Sequence, residues 1–118
     1  MTTWNTEIIN RLKQGTIKTV VLFGDSVERI EAPYVVVKTI AGGDRKLIQI
    51  YVHGVIGGVQ DILEAYIFRE LPALLKAPLE ANGKKITVYS TGGWNGPYID
   101  EGDNTLAMSR DFFIPVIL

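Results

Sequence analysis

The sequence contains no cysteine, and this absence excludes several functional classes at once. Disulfides, thiolate catalysis and cysteine-ligated zinc are ruled out, while the redox compartment stays open. Histidine is nearly as scarce, because His53 is the single histidine among 118 residues. One imidazole without a thiolate or a second imidazole does not build a typical zinc site. We therefore predict that His53 is a half-exposed residue at a strand end and that the chain holds no metal.

The chain also lacks an excess of charge of either sign. It has 12 basic and 13 acidic residues, which leave a net charge of −1. Proteins that bind nucleic acid or anionic lipid usually carry a basic surface, which this composition does not provide. We therefore expect neither a membrane partner nor sequence-specific nucleic-acid binding. No apolar run approaches the ~20 residues of a membrane helix. The N-terminal segment 1–5 lacks the basic and apolar regions of a signal peptide, which favours a soluble cytoplasmic product.

The composition is that of an ordinary globular protein, with 47% hydrophobic and 21% charged residues. This length and composition predict one domain over residues 1–118 with one core. Trp4, Ile8, Ile9 and Leu12 lie on one face of a helix that Gly15 can end. Three further segments are β-branched or alternate in polarity, and glycine or proline bounds them. We therefore predict strands over residues 17–23, 34–40 and 46–53.

The second half of the chain begins with its strongest helical pattern, over residues 59–75. Apolar residues recur there at helical spacing: Val59, Ile62, Leu63, Tyr66, Ile67, Leu71, Leu74 and Leu75. Pro72 predicts a kink or the last turns of this helix. A short strand over 85–89, a loop over 91–105 and a final apolar strand over 106–118 follow, with Arg110 as the only break in its apolar row. The order α-β-β-β-α-β-β predicts an α+β fold, a mostly antiparallel sheet with two helices on one face.

Three segments invite a chemical interpretation, and each lacks a necessary part. The strand ending in Gly24-Asp25-Ser26 resembles the nucleophile block of the GDSL-type esterases, but no Asp-x-x-His follows to supply a base. The glycines from Gly54 to Gly58 precede a helix without the Lys-Ser/Thr of a phosphate-binding loop. The acidic residues of segment 100–104 lack the spacing of a calcium loop. We therefore expect no catalytic residues and no cofactor, and we predict that the protein is not an enzyme.

The segment 91–105 is the most suggestive part of the chain. Loops of this length are uncommon in compact domains and are often functional. Because large apolar residues on such a loop are candidate interface anchors, we predict a subunit or partner interface at Trp94, Tyr98 and Ile99. Two alternatives stay open: Trp94 folds back on its own domain, or it reaches a neighbour. Arg110 likewise either pairs within its own chain or contacts an adjacent subunit.

Four segments carry a resemblance to a known family. They are Pro33-Tyr34-Val35-Val36-Val37-Lys38, the strand from Leu47 to Gly54, the helix 59–75, and the ending Ser109-Arg110-Asp111-Phe112-Phe113-Ile114-Pro115-Val116. In pattern and order, residues 33–118 resemble the tail terminator and tail-completion proteins of long-tailed bacteriophages, in whose last strand an arginine often enters an apolar run. This chain departs from them at Pro72 and in the Gly92–Gly96 insertion.

The resemblance implies a structural protein of the virion neck. Copies would form a ring, a hexamer, at the top of the tail tube, where the ring stops tube polymerisation and offers the surface that joins the head. The implied partners are the protein itself, the tail tube protein and the head-side connector proteins, with DNA passing through the ring. The implied location is the virion, after assembly in the host cytoplasm. Two other classes stay open: a small homo-oligomeric ligand-binding α+β module, and a minimal serine hydrolase around Asp25-Ser26.

Overall fold

The structure is a computed structural model that describes residues 4–24, 30–42, 45–57, 60–81, 83–102 and 104–115. Its elements are α1 (Trp4–Leu12), β1 (Val20–Leu22), β2 (Tyr34–Gly42), β3 (Arg45–Val55), the helix α2 over 60–74, β4 (Leu79–Ala81), β5 (Lys84–Ile86), β6 (Tyr89–Asp100) and β7 (Thr105–Pro115). The predicted α+β fold and its element order are confirmed, and a small hairpin of β4 and β5 is added after α2.

Several sequence predictions fall on residues outside these ranges. They concern the Asp25-Ser26 part of the esterase-like block and the end of the final predicted strand, at 116–118. Gly58 and Val59 before α2, and Asp103 in the acidic segment, also lie outside them.

The main sheet has five strands in the order β1-β2-β3-β7-β6. β1 pairs with β2 in parallel, and the other neighbours are antiparallel, which agrees with the predicted mostly antiparallel sheet. The register places Val37 opposite Ile50, and Ile50 opposite Arg110. These three side chains therefore share one face of the sheet, which makes Arg110 part of a row that is otherwise apolar.

Both helices cover this same face, which we call the helix side. Alternate residues of β2, β3 and β7 supply the strand part of the core: Val35, Val37, Ile48, Ile50, Val52, Met108, Phe112 and Ile114. The helices supply Ile8, Leu12, Leu63, Tyr66, Ile67, Leu71 and Leu75 to the same cluster. Most described residues of the predicted helical stripes are thus buried. Trp4, Ile9 and Leu74 are half-buried against the cluster, and Ile62 is 63% exposed on the outward side of α2.

Two polar side chains fasten α1 to α2. Arg11 of α1 donates hydrogen bonds to the carbonyls of Leu74, Ala77 and Pro78, at and beyond the C-terminal end of α2. A cation at this position satisfies free carbonyls and complements the helix dipole. Glu70 of α2 accepts from both the backbone N–H and the hydroxyl of Thr16, just after α1. These contacts fix how α1 and α2 lie on the sheet.

The prediction of a loop over residues 91–105 is wrong for most of this range. Residues 89–100 form the edge strand β6, and the described residues 101, 102 and 104 are turn residues before β7. The register with β7 shifts twice, between Ser90 and Trp94 and again between Asn95 and Tyr98. Such bulges insert unpaired residues and break the alternation of side chains, so the strand carries no period of two in its sequence.

Candidate interaction surfaces

The helix α2 changes its winding at the residues that precede Pro72. Residues Gln60–Ala65 are α-helical, Tyr66–Glu70 form a π-helical turn, and Leu71–Leu74 are α-helical again. The N–H of Leu71 bonds the carbonyl of Tyr66, five residues earlier. Proline has no N–H, and its ring clashes with the carbonyl four residues before it in a regular helix. The wider turn lets the chain pass Pro72 without ending the helix.

This π turn leaves the Ile67 carbonyl without a donor from its own helix. The N–H four residues on, that of Leu71, is used by Tyr66, and the residue five on is Pro72. Arg110 supplies the missing donor, because its Nη1 lies 3.1 Å from the Ile67 oxygen. The guanidinium also lies against the rings of Phe68 and Phe112, 5.9 and 5.4 Å from their centroids. Arg110 therefore supplies a hydrogen bond that α2 does not make for its own Ile67 carbonyl.

Trp94 lies directly opposite Arg110 in the sheet and on the same face. Its ring meets Phe68 of α2 edge to face, with 5.2 Å between the centroids. Even so, the Trp94 side chain is 56% exposed and that of Phe68 is 41% exposed. The pair is thus held in place by its own chain while offering much of its apolar area to the outside.

The outward side of α2 continues from this aromatic pair. Asp61 and Ile62 are exposed there and Glu64 is half-buried, with its carboxylate accepting from Gln60. Asp61 and Glu64, three residues apart, lie on one side of the first turns of α2, and Phe68 is exposed in the π turn that follows. We call Asp61, Ile62, Glu64, Phe68 and Trp94 the helix surface; it combines apolar side chains with two acidic ones.

No described helix covers the other face of the sheet, which bears a second apolar row. The register sets Ile40, Leu47, Phe113 and Tyr89 side by side across β2, β3, β7 and β6. Phe113 and Tyr89 stack with 5.4 Å between their centroids, and Ile40 and Tyr89 are exposed. Such a row on a sheet face is typical of an interaction surface.

Cations flank this row on both sides. Lys38, two residues before Ile40, places its Nζ 4.9 Å from the centroid of the exposed Phe23 ring. Arg45, two residues before Leu47, lies 4.8 Å from the centroid of Phe113. We call Phe23, Lys38, Ile40, Arg45, Leu47, Phe113 and Tyr89 the strand surface. The strand surface thus presents two cations beside its apolar side chains, with Asp111 on the same face in line with Lys38. The helix surface presents two carboxylates beside its apolar side chains, with Arg69 exposed next to Phe68.

Further along the same face, His53 lies in a buried polar group. The prediction that it is half-exposed at a strand end is wrong, because it is 6% exposed inside β3. Its ring stacks on Tyr34 with 4.6 Å between the centroids. Its Nδ1 is 2.9 Å from the Thr105 hydroxyl and 4.0 Å from an Asp100 carboxylate oxygen. Neighbouring strands pair with β3 on both sides of His53. The pattern of a single sequence does not show this source of burial.

The hydroxyl and the carboxylate beside His53 do not take the two positions of a nucleophile and an orienting acid. Such a relay uses both ring nitrogens, one toward the nucleophile and one toward the acid. Here the hydroxyl and the carboxylate both approach Nδ1. Among the residues that the structure describes, no group of three histidine, aspartate or glutamate side chains is arranged to hold a metal ion.

The four predicted interface residues lie in different environments. Trp94 and Ile99 are exposed, and their partners Arg110 and Leu106 place them on the helix side. Tyr98 faces the opposite side and is half-buried. Burial, followed by nearby Tyr51 and Asp100, raises the pKa of its phenol. Arg110 is engaged by its own chain. The structure thus brings Trp94 and Arg110 together and separates Tyr98 from both.

The sequence analysis missed Phe68, Phe23 and the row of Ile40 and Phe113. Phe68 left one signal, since it is a large apolar residue outside the apolar stripe of its helix. Ile40 and Phe113 gave none, because β-strands that are apolar on both faces look like fully buried ones. Of the helices that the structure describes, none is long and apolar enough to cross a membrane.

Comparisons with known proteins bear only on the fold. No family model matches the chain, and no curated protein matches it. A solved structure of a protein whose name says nothing of its function superposes with a TM-score of 0.58. The two sequences are 17% identical, and the match covers 98% of this chain and 92% of the other. The α+β architecture described above therefore also occurs in a distantly similar protein.

Proposed function

We propose that this protein is a structural subunit of the neck of a long-tailed bacteriophage, and that it assembles into a hexameric ring. The ring caps the tail tube, stops its polymerisation and presents the surface to which the head-side connector proteins bind. The sequence pattern of residues 33–118 supports this proposal through its resemblance to tail terminator and tail-completion proteins. DNA passes through the ring without sequence-specific contacts, in keeping with the net charge of −1.

The observation that carries the proposal is the presence of two different exposed apolar surfaces on one small chain. A head-to-tail ring needs two unlike, complementary patches on each subunit, whereas a two-fold dimer needs one patch that matches itself. The helix surface and the strand surface lie on opposite faces of the sheet and differ in composition. They thus meet the requirement for a chain that contacts one neighbour on each side.

The edges of the sheet favour association through side chains over association through strand pairing. β1 at one edge has three residues, and β6 at the other edge contains two register shifts. Short and bulged edge strands are poor templates for a strand of another molecule. A second copy is therefore expected to bind through the two surfaces and not by extending the sheet.

Native mass spectrometry of the purified protein tests the ring directly. We expect one closed species of six subunits over a wide range of protein concentration, with a central hole visible by negative-stain electron microscopy. Trp94→Ala should weaken assembly while leaving the melting temperature of the monomer nearly unchanged, because the Trp94 side chain is more than half exposed. Glu101→Ala, in the exposed β6–β7 turn, serves as the control. A wild-type protein that stays monomeric at all concentrations would contradict the proposal.

A second experiment separates a tail cap from any other ring. Tail tube protein from the same genome is polymerised in the presence of increasing amounts of this protein. A terminator should shorten the tubes in proportion to its concentration and should lie at one end of each tube. Tubes of unchanged length and uncapped ends would leave a ring without the proposed role and would favour the ligand-binding alternative.

A further inference from the structure

The two surfaces differ in charge as well as in position. On the strand surface, Lys38 and Arg45 lie on the two sides of the apolar row. Their cationic groups rest on the rings of Phe23 and Phe113. A partner for such a surface needs apolar side chains flanked by carboxylates, since interfaces place opposite potentials against each other.

The helix surface of the same chain has this composition. Asp61 and Glu64 lie near the N-terminal end of α2, and Ile62 and Phe68 offer exposed apolar side chains beside them. Trp94 extends the apolar part, because its ring is held against Phe68. A helix is also a compact ridge, and a sheet face without a helix is a broad, open receiving surface.

We propose that the helix surface of one copy docks on the strand surface of the next copy, with Asp61 facing Lys38 across the contact. This inference rests on the proposed ring and specifies its interface. Each copy uses both surfaces, so the contact is head-to-tail and has no two-fold axis. The acidic end of α2 meets the basic border of the apolar row, and Ile62 and Phe68 meet Ile40 and Phe113.

Charge reversal tests the facing pair. Lys38→Glu and Asp61→Lys should each weaken self-association about tenfold, because each places like charges against each other. The double variant with both changes should recover most of the lost affinity, since the pair is restored with its signs exchanged. Lys76→Glu and Glu101→Lys, exposed and outside both surfaces, are the matched controls and should leave association unchanged. Sedimentation velocity over a concentration series measures all five proteins and the wild type.

A mixing experiment tests the head-to-tail character of the contact. Ile40→Glu blocks the strand surface and Ile62→Glu blocks the helix surface, and both side chains are exposed enough for the fold to tolerate the change. Each variant alone should be monomeric. Mixed in equal amounts, they should form a 1:1 complex and nothing larger, because only one pair of intact surfaces remains.

The outcomes separate this inference from the proposed function. Wild-type protein that never associates contradicts both. Wild-type rings that are indifferent to Lys38→Glu and Asp61→Lys, or a double variant weaker than either single one, overturn the interface and leave the ring proposal standing. Higher oligomers in the mixture of Ile40→Glu and Ile62→Glu also overturn the interface. Far-ultraviolet circular dichroism of every variant shows whether a loss of association is a loss of folding.

Discussion

At the scale of single residues, Arg110 and Pro72 explain each other. Pro72 makes the π turn necessary, the π turn frees the Ile67 carbonyl, and Arg110 bonds it. A charged side chain in an apolar row is expensive unless it is hydrogen-bonded, and here the helix provides the acceptor. From the sequence, each residue alone looked like an irregularity. Their link was not predictable, because Arg110 and Ile67 are 43 positions apart in the chain and only the register of β7 brings them together.

We expect Arg110→Met to lower the free energy of unfolding by about 2 kcal/mol, because it leaves a partly buried carbonyl without a donor. Urea unfolding followed by circular dichroism measures this loss. In a Pro72→Ala background the same change should cost clearly less, since an N–H at position 72 restores a donor to the helix. Equal losses in both backgrounds would show that Arg110 acts through its ring contacts and its hydrogen bond to Ser90 and not through the Ile67 carbonyl.

Tyr66 is a second residue whose environment has a measurable consequence. Its hydroxyl is the buried side-chain polar atom without a hydrogen-bond partner among the described residues. Burial, with a smaller contribution from the Glu70 carboxylate, raises the pKa of this phenol above its ordinary value of 10.0. The folded protein therefore keeps the proton at pH values at which the unfolded chain loses it.

The sign of the resulting pH dependence follows from proton counting. Above pH 10 the unfolded state binds fewer protons than the folded state, so stability falls as the pH rises through this region. Tyr66→Phe should remove this part of the alkaline decline. At pH 7 the variant should be as stable as the wild type or about 1 kcal/mol more stable, because an unsatisfied buried hydroxyl is removed. Urea midpoints measured from pH 7 to pH 11.5 give both quantities.

At the scale of elements, the sequence was informative where a regular period exists. α1, β2, β3 and the buried stripe of α2 have such periods and were predicted within a few residues. β6 has none, because its glycines and two register shifts break the alternation, and it was taken for a loop. The short strand predicted over 85–89 overlaps β5 at residues 85 and 86, whereas its partner β4 was missed because three residues are too few to show a period.

The bulges of β6 depend on particular glycines. Gly96 has φ of +106°, and a Cβ there would lie 2.7 Å from the Ala107 carbonyl oxygen of β7. Gly92 also has a positive φ, of +83°, but a Cβ there would meet nothing within 4 Å. The first glycine is thus required by both conformation and space, and the second by conformation alone.

We expect Gly96→Ala to destabilise the protein by about 3 kcal/mol and Gly92→Ala by about 1 kcal/mol. The two variants share the backbone penalty, so the difference between them reports the contact with β7. Thermal unfolding by calorimetry measures both. Equal losses would mean that β6 moves away from β7 at Gly96 at little cost.

At the scale of the whole molecule, the sheet serves two purposes with its two faces. One face is buried under the helices and supplies the core, while the other carries the polar group around His53 and the strand surface. Adjacent residues of β7 point to opposite faces of the sheet. Phe112 is buried among core residues, and Phe113 belongs to the row on the open face.

The neighbouring phenylalanines provide a matched pair of variants. Phe112→Ala should lower the free energy of unfolding by about 3–5 kcal/mol, because it leaves a cavity in the core. Phe113→Ala should cost the monomer much less, and it should weaken self-association instead. Urea unfolding and sedimentation velocity on both variants distinguish the two effects. If Phe113→Ala lost much stability and associated as the wild type does, the open face would stabilise the monomer and would not be an association surface.

The order of the strands in the sheet also determines which strand edges lack a partner during synthesis of the chain. β7 is the last described strand in chain order, yet it lies between β3 and β6. Until residues 105–115 have left the ribosome, one edge of β3 has no partner and β6 has no strand to join. A stalled or prematurely released nascent chain therefore exposes the Ile48 and Ile50 region of β3 as an open edge. That edge of β3 stays unpaired until β7 reaches it.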